Sequence, residues 1–308
     1  MATRNQSRVE TNGNGHGAVV TLDRPDDRFE AEIAGLDNLE TPVAPALGRL
    51  TRLWAATWPK LAALALFFGF WQGVVWAKLK PSYALAGPGP VLGRLFTDVG
   101  NGDLLRASAT TLQRAAIGYG LAVVIGVTLG LAVARSRVLR AAVGSMITGL
   151  QTMPTIAWFP LAILLFQLSE TAITFVVVLG AAPAIANGVI AGVDHIPPVL
   201  LRAGRVLGAR GLAAYRHVII PAAFPGLVAG LKQGWAFAWR SLMAGELIVI
   251  VANKPSLGVR LQFARETSDV EGLMAAMLAL LIIGIAVDSL VFGRLERIVR
   301  RRWGLDRG

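Results

Sequence analysis

The chain has 308 residues, 54% of them hydrophobic and only 16% charged, where an ordinary soluble domain carries about 25% charged residues. Thirty Lys and Arg against 19 Asp and Glu leave a net charge of +11; in so apolar a chain that excess marks cytoplasmic membrane loops and argues against a nucleic-acid binder. No cysteine is present, which excludes disulfides, thiolate metal sites and a cysteine nucleophile.

In chain order, residues 1–50 come first. They hold eight of the 19 acidic residues (Glu10, Asp23, Asp26, Asp27, Glu30, Glu32, Asp37, Glu40), a Gly/Asn/His stretch from Asn12 to Gly17, and no long apolar run. Such a segment cannot bury a core and is expected to be a disordered cytoplasmic tail. With no apolar core close behind Met1, it does not read as a signal peptide.

A helix needs about 20 apolar residues to cross a bilayer core of about 30 Å. Charge-free runs lie at Leu61–Ala77 (with Trp54, Trp58, Trp71 and Trp76 near its ends), Ala115–Ala134, Ala141–Ser169, Thr171–Val193 and Gly272–Val287. A further apolar stretch from Phe224 to Ala252 is interrupted by Lys232, Arg240 and Glu246. These predict an all-α integral membrane protein with six spans, over about residues 58–79, 108–134, 140–157, 170–193, 223–250 and 271–293. The run 141–169 is long for one helix and contains Pro154 and Pro160. It is read as a span ending near 157, a short apolar turn, and a new span from Glu170.

Loop charges orient the chain. Arg135, Arg137 and Arg140, then Arg202, Arg205, Arg210 and Arg216, then Arg294, Arg297, Arg300, Arg301, Arg302 and Arg307 fall on one side. The other side carries Lys78, Lys80, Arg94, Arg106, Lys254, Arg260 and Arg265, offset by Asp98, Asp103, Glu266, Asp269 and Glu271. Both termini are therefore expected in the cytoplasm, with residues 301–308 a basic tail. The spaced pairs Gly126/Gly130, Gly188/Gly192 and Gly226/Gly230/Gly234 would let helix backbones approach closely.

The inside loop 196–222 is the most informative segment. After Ile196-Pro197-Pro198, the apolar positions Leu200, Leu201, Val206 and Leu207 predict a short helix ending near Gly208; a second helical piece, Leu212 to Val218, runs into Pro221. An Arg-rich hairpin of this kind suits either docking of another protein or adhesion to anionic headgroups.

Arg202, Ala203, Gly204, Gly208, Val218, Ile220 and Pro221 resemble the EAA motif of bacterial ABC importer permeases, which reads Glu-Ala-Ala, three residues, Gly, nine residues, Ile-x-Leu-Pro. Arg202 stands where the family has Glu. Gly87-Pro88-Gly89-Pro90-Val91 before an amphipathic helix, Met153-Pro154 with Pro160-Leu161-Ala162, and Trp239 through Leu247 resemble the nitrate/sulfonate/taurine branch. The resemblance extends over about residues 55–300.

It implies a six-span permease of the type I importer fold in a bacterial inner membrane, paired with a second copy of itself. It further implies an ABC-type ATPase subunit, in two copies, docked at the loop, and an external solute-binding protein that delivers the substrate. Alternating access would then move a small anionic solute, an aliphatic sulfonate such as taurine or a nitrate-like ion. The chain contains no Gly-x4-Gly-Lys-Ser/Thr phosphate loop, so no cofactor is expected on it, and ATP and Mg belong to the partner ATPase.

A charge at mid-membrane costs about 2.5–3.5 kcal/mol on insertion scales, so each one within a span asks for a reason. Arg240, Glu246, Trp239, Gln151 and Asn187 are the candidate substrate pathway. Arg240 suits a bidentate contact to a sulfonate, nitrate or carboxylate, or an internal pair with Glu246 or Glu170. A pair with Glu246 inside one helix is awkward, since the two lie about 120° apart around its axis. Glu246 reads as a gate or as a solvated interfacial carboxylate. Gln151, Thr152, Gln167 and Asn187 would line a path or bond between helices. Asp194-His195 reads as a helix end, and Asp288 is expected to face Arg294 or water. No metal-ligand spacing occurs. The competing reading, an ion-coupled secondary transporter, asks for interrupted half-spans and mid-depth carboxylates; here the carboxylates cluster near span ends. No hydrolase motif such as His-Glu-x-x-His or Gly-x-Ser-x-Gly is present, and the chain is not expected to be an enzyme.

Overall fold

Inside a bilayer every backbone N–H and C=O must bond within the protein, which a helix does for itself. Helices and turns make up the regular structure of the described residues. The computed structural model describes residues 49–78, 81 and 84–303. The tail expected over 1–50 lies outside these except for Arg49 and Leu50, as does most of the basic tail expected over 301–308.

The chain divides into two compact units, residues 1–67 and 68–308. Of the first, the described part is Arg49–Phe67, within helix α1 (Arg49–Trp76). In the second unit follow α2 (Pro88–Gly100), α3 (Asp103–Arg135), α4 (Arg137–Thr152), α5 (Phe159–Phe166), α6 (Glu170–Asp194) and α7 (Pro198–Val206), then α8 (Ile220–Ile248), α9 (Leu257–Glu266), α10 (Val270–Val287) and α11 (Gly293–Arg302).

Local chemistry sets most of the helix starts. Pro88 opens α2, where its missing N–H is not needed. The side chains of Ser136, Ser169, Ser256 and Asp269 cap α4, α6, α9 and α10 by accepting backbone N–H groups of the first turn.

Thr57–Trp76 of α1, α3, α6 and the continuous run Val270–Arg302 are long and apolar enough to cross a membrane. The bent pair Arg137–Thr152 and Thr155–Phe166 makes a fifth candidate. The span expected over 223–250 is the helix α8, whose length is matched but which carries Lys232, Arg240 and Glu246.

One expectation needs correction. The third span does not run to 157, and no simple turn follows it. Met153 takes an extended conformation, as the residue before a proline prefers, and α4 stops at Thr152. A turn of 3-10 helix at Thr155–Trp158 leads into α5, and the chain is bent by 103° across the break.

Helix α6 is the centre of the bundle, packed between α3 and α8. The spaced glycines lie at its contacts. A Cβ added at Gly126 would stand 2.7 Å from the Ala182 carbonyl, and one at Gly130 2.7 Å from Cβ of Val189. On the other side Gly188 and Gly192 of α6 face Gly230 and Gly226 of α8 backbone to backbone. Close approach of this kind supplies the dispersion that holds helices together where lipid removes the hydrophobic drive. A second cluster, with Val91, Leu95, Leu104, Leu257, Ala275 and Ala279, joins α2, α3, α9 and α10. There Asp98 pairs with Arg94 at 3.2 Å and with Arg260.

Candidate functional site

The loop 196–222 is built by a helix that is made to stop. Gly208 has φ +81°, the left-handed conformation natural to glycine. Its N–H bonds the Arg205 carbonyl at 3.1 Å, and the Ala209 N–H bonds the Gly204 carbonyl at 2.9 Å. This is the Schellman arrangement, which satisfies the last carbonyls of α7. It accounts for the motif glycine by backbone geometry. Gly204 is buried against Val218, where a Cβ would stand 2.8 Å from a valine methyl, so two motif positions pack on each other.

Gly211, at φ +54°, reverses the chain into the turn Leu212–Ala214. The π-helical turn Tyr215–Ile219 follows, with the Ile220 N–H reaching back to the Tyr215 carbonyl. Pro221 has no N–H to continue an α-helical ladder, and the wider turn absorbs the defect. At the tip, Val206 and Leu207 are 87% and 85% exposed, and Arg202 and Ala203 are also exposed. Arg135, at the end of α3, lies over the Tyr215 ring at 5.4 Å. Arg140 and Asp194 form a two-fold ion pair at 2.8 Å, which ties α4 to the Asp194-His195 helix end. Trp303 donates from Nε1 to the Pro221 carbonyl at 3.0 Å and stacks on Phe224.

At the opposite end of the bundle, Arg114 of α3 holds two carboxylates. Its Nε and Nη2 donate to Glu170 at 2.8 and 2.7 Å, and its Nη1 donates to Glu246 at 2.9 Å. Glu246 is wholly buried. It also accepts from Thr111 Oγ1 at 2.9 Å and from the Gly258 N–H at 3.0 Å, while the Leu257 N–H donates to Thr111 Oγ1 at 3.0 Å. The free N–H groups at the start of α9 are thus met by side chains of α3 and α8, and Lys254 lies 3.4 Å from Glu170.

Glu246 is therefore not a solvated interfacial carboxylate, and Arg240 pairs with neither Glu246 nor Glu170. Both acids pair with Arg114, and Glu170 with Lys254 as well. In the sequence Arg114 stands just outside the charge-free run Ala115–Ala134, which leaves it unmarked as a span residue. The available signal was that Arg114, Glu170 and Glu246 all fall toward the same end of neighbouring apolar runs.

The remaining pathway residues separate into two groups. Trp239 stacks on Trp235 at 5.8 Å and lies against Gly284, in an aromatic cluster with Tyr119 and Phe292. Nε2 of Gln151 is buried with no hydrogen-bond partner among the described residues. Arg240, by contrast, is exposed, with its guanidinium 5.2 Å from the Phe237 ring centre and in no ion pair among the described residues. Gln233 lies two turns earlier on the same face of α8, about 10 Å along the axis. With Asn187 of α6 it lines a cavity of about 1090 Å³ that also includes Gly188, Gly230, His195 and Pro221. In the sequence Gln233 sits beside Lys232 in an otherwise apolar stretch and matches no motif. Asp288 is half exposed to solvent, one of its two expected surroundings, and also lies 3.8 Å from Lys232 in place of Arg294.

The family described as "Binding-protein-dependent transport system inner membrane component" matches residues 122–304. The taurine transport system permease protein of Escherichia coli is 28% identical over 233 residues, covering 74% of this chain and 84% of the relative. The nitrate import permease protein of Synechocystis is 27% identical over 195 residues, covering 63% and 69%. The fold resembles that of a chain in the MetNI methionine ABC transporter in its inward-facing conformation. The TM-score is 0.56 at 22% identity, over 64% of this chain and 96% of that one.

Proposed function

The chain belongs to the family of inner-membrane components of binding-protein-dependent transport systems, and from that premise we propose that it carries a small anion across the membrane by alternating access. It is the permease subunit of an ABC importer and has no catalytic role; nucleotide binds to the partner ATPase. In this reading two copies pair, α8 completes six spans with both termini in the cytoplasm, and an external binding protein delivers the solute. The loop 196–222 receives the ATPase, with the short stiff helix α7 pushed or pulled as the nucleotide sites close. Gly204, Gly208, Val218 and Pro221 give that loop its shape; Arg202, Ala203 and Ile220 lie on its exposed surface, which Arg202 makes cationic where the family motif has an acid.

The observation that carries the substrate class is Arg240. A guanidinium within a span costs about 2.5–3.5 kcal/mol to place, and this one is exposed with no internal counter-ion among the described residues. A sulfonate or nitrate presents two oxygens in the plane that a guanidinium recognises. The taurine and nitrate relatives support the same class. Arg240, Gln233 and Asn187 then form the polar line leading to the inner cavity, while Glu246 is held apart from it by Arg114 and Trp239 packs in the aromatic cluster.

The test is uptake of labelled taurine and of nitrate by vesicles holding the assembled transporter. Arg240→Gln is expected to abolish uptake while the permease pair and the ATPase remain assembled. Uptake at the wild-type rate, or loss of assembly in place of transport, would contradict the role.

A further inference from the structure

We propose that α11 is a docking surface for anionic phospholipid headgroups, and that Trp303 passes the state of that surface to the loop 196–222. The second half rests on the importer reading given above; the first half does not.

The helical run Val270–Arg302 is continuous. At 1.5 Å per residue a bilayer core of about 30 Å is crossed in about 20 residues. The core then ends near the π-helical turn Asp288–Phe292, and Arg294 through Arg301 occupy the next 10 Å or so, the layer where phosphates lie.

Arg294, Arg297, Arg300, Arg301 and Arg302 are all exposed, and none forms an ion pair among the described residues. The acid of this helix, Glu296, is already taken by Lys232 at 3.2 Å. Around the axis, Arg294, Arg297 and Arg301 share the side opposite buried Val299. Ile298 beside them is 53% exposed. A stripe of guanidiniums with an apolar neighbour, continuous with a membrane-crossing helix, fits phosphate heads above acyl chains better than it fits an acidic protein surface.

Lys232 Nζ lies 3.2 Å from Glu296 and 3.8 Å from Asp288, and so grips the chain at the start of the π-turn and just beyond its end. Beyond α11, Trp303 is bonded to the Pro221 carbonyl and stacked on Phe224. A shift of α11 toward or away from the headgroups therefore acts on the proline that ends the loop.

Lipid retention is measured on the intact purified chain in neutral detergent, by native mass spectrometry with added phosphatidylglycerol or phosphatidylcholine. The wild type is expected to keep phosphatidylglycerol in preference, and R294Q/R297Q/R301Q to keep several-fold less of it, with phosphatidylcholine unchanged. Equal retention of the two lipids by the wild type overturns the surface whether or not the variant folds. Loss of ATPase co-purification in the variant with phosphatidylglycerol retention unchanged also overturns it, in favour of an acidic protein partner.

Transmission is measured as ATP hydrolysis by the complete transporter in vesicles of increasing phosphatidylglycerol content. The wild-type rate is expected to change about threefold or more, and Trp303→Ala to flatten that response without losing lipid retention. A flat wild-type response overturns the transmission alone. Absence of transporter-coupled hydrolysis at every composition overturns the transmission and the importer reading together, while lipid retention by the chain stands as a separate result.

Discussion

Nη1 of Arg114 lies 2.9 Å from Oε1 of Glu246, in a site from which Glu246 is wholly closed to solvent. Through this contact α3 holds α8 and, by way of the Gly258 N–H, the start of α9. Removing one partner of such a pair strands the other in a low dielectric and costs about 3–5 kcal/mol. Arg114→Ala is therefore expected to lower the thermal midpoint of the detergent-solubilised chain by well over the effect of Glu246→Gln, whose amide keeps the shape and one acceptor. Equal, small shifts for the two would contradict the arrangement.

The facing glycines of α6 and α8 give a second expectation. A methyl at Gly188 or Gly230 would enter the backbone of the opposing glycine, whereas one at Gly149 meets nothing within 4 Å. Gly188→Ala and Gly230→Ala are expected to abolish the folded, monodisperse chain on size exclusion. Gly149→Ala is expected to be neutral or to stabilise by up to about 1 kcal/mol through helix propensity. Normal behaviour of the first two would show that these helices do not approach as described.

Gly208 supplies a third. Its φ is +81°, and a Cβ there meets nothing within 4 Å, so any effect of substitution is one of backbone conformation alone. Left-handed geometry costs an ordinary residue about 1–2 kcal/mol, less for Asn. Gly208→Asn is expected to retain transport-coupled ATP hydrolysis in the assembled complex. Gly208→Val is expected to lose most of it with the melting point of the bundle unchanged. Equal activities would remove the Schellman turn from the account of the loop.

What could be read from the sequence was governed by local chemistry. Pro88 after Gly87 starts α2, Ser169 starts α6 at Glu170, and Gly208 ends the loop helix near where the pattern placed it. The glycine spacings also pointed to close helix contacts. Long-range choices were not legible. Which acid Arg114 would hold depends on α3, α6 and α8 meeting at one depth, and a guanidinium just outside a charge-free run carries no mark of that. Helix α9 has a polar composition with no apolar run, so a search for spans reads it as loop. The break after Thr152 was visible in Pro154 and Pro160, but the 103° size of the turn, which brings α5 onto α6, was not.

Mild-detergent co-purification of the tagged chain from its own membranes tests the importer account most directly, with V206D/L207D run beside the wild type. Both side chains are more than four-fifths exposed, so the variant is expected to fold. An ABC-type ATPase recovered with the wild type and lost with the variant is the expected result. Recovery of no ATPase with the intact, folded wild-type chain, or equal recovery with the variant, would contradict docking at the tip of α7.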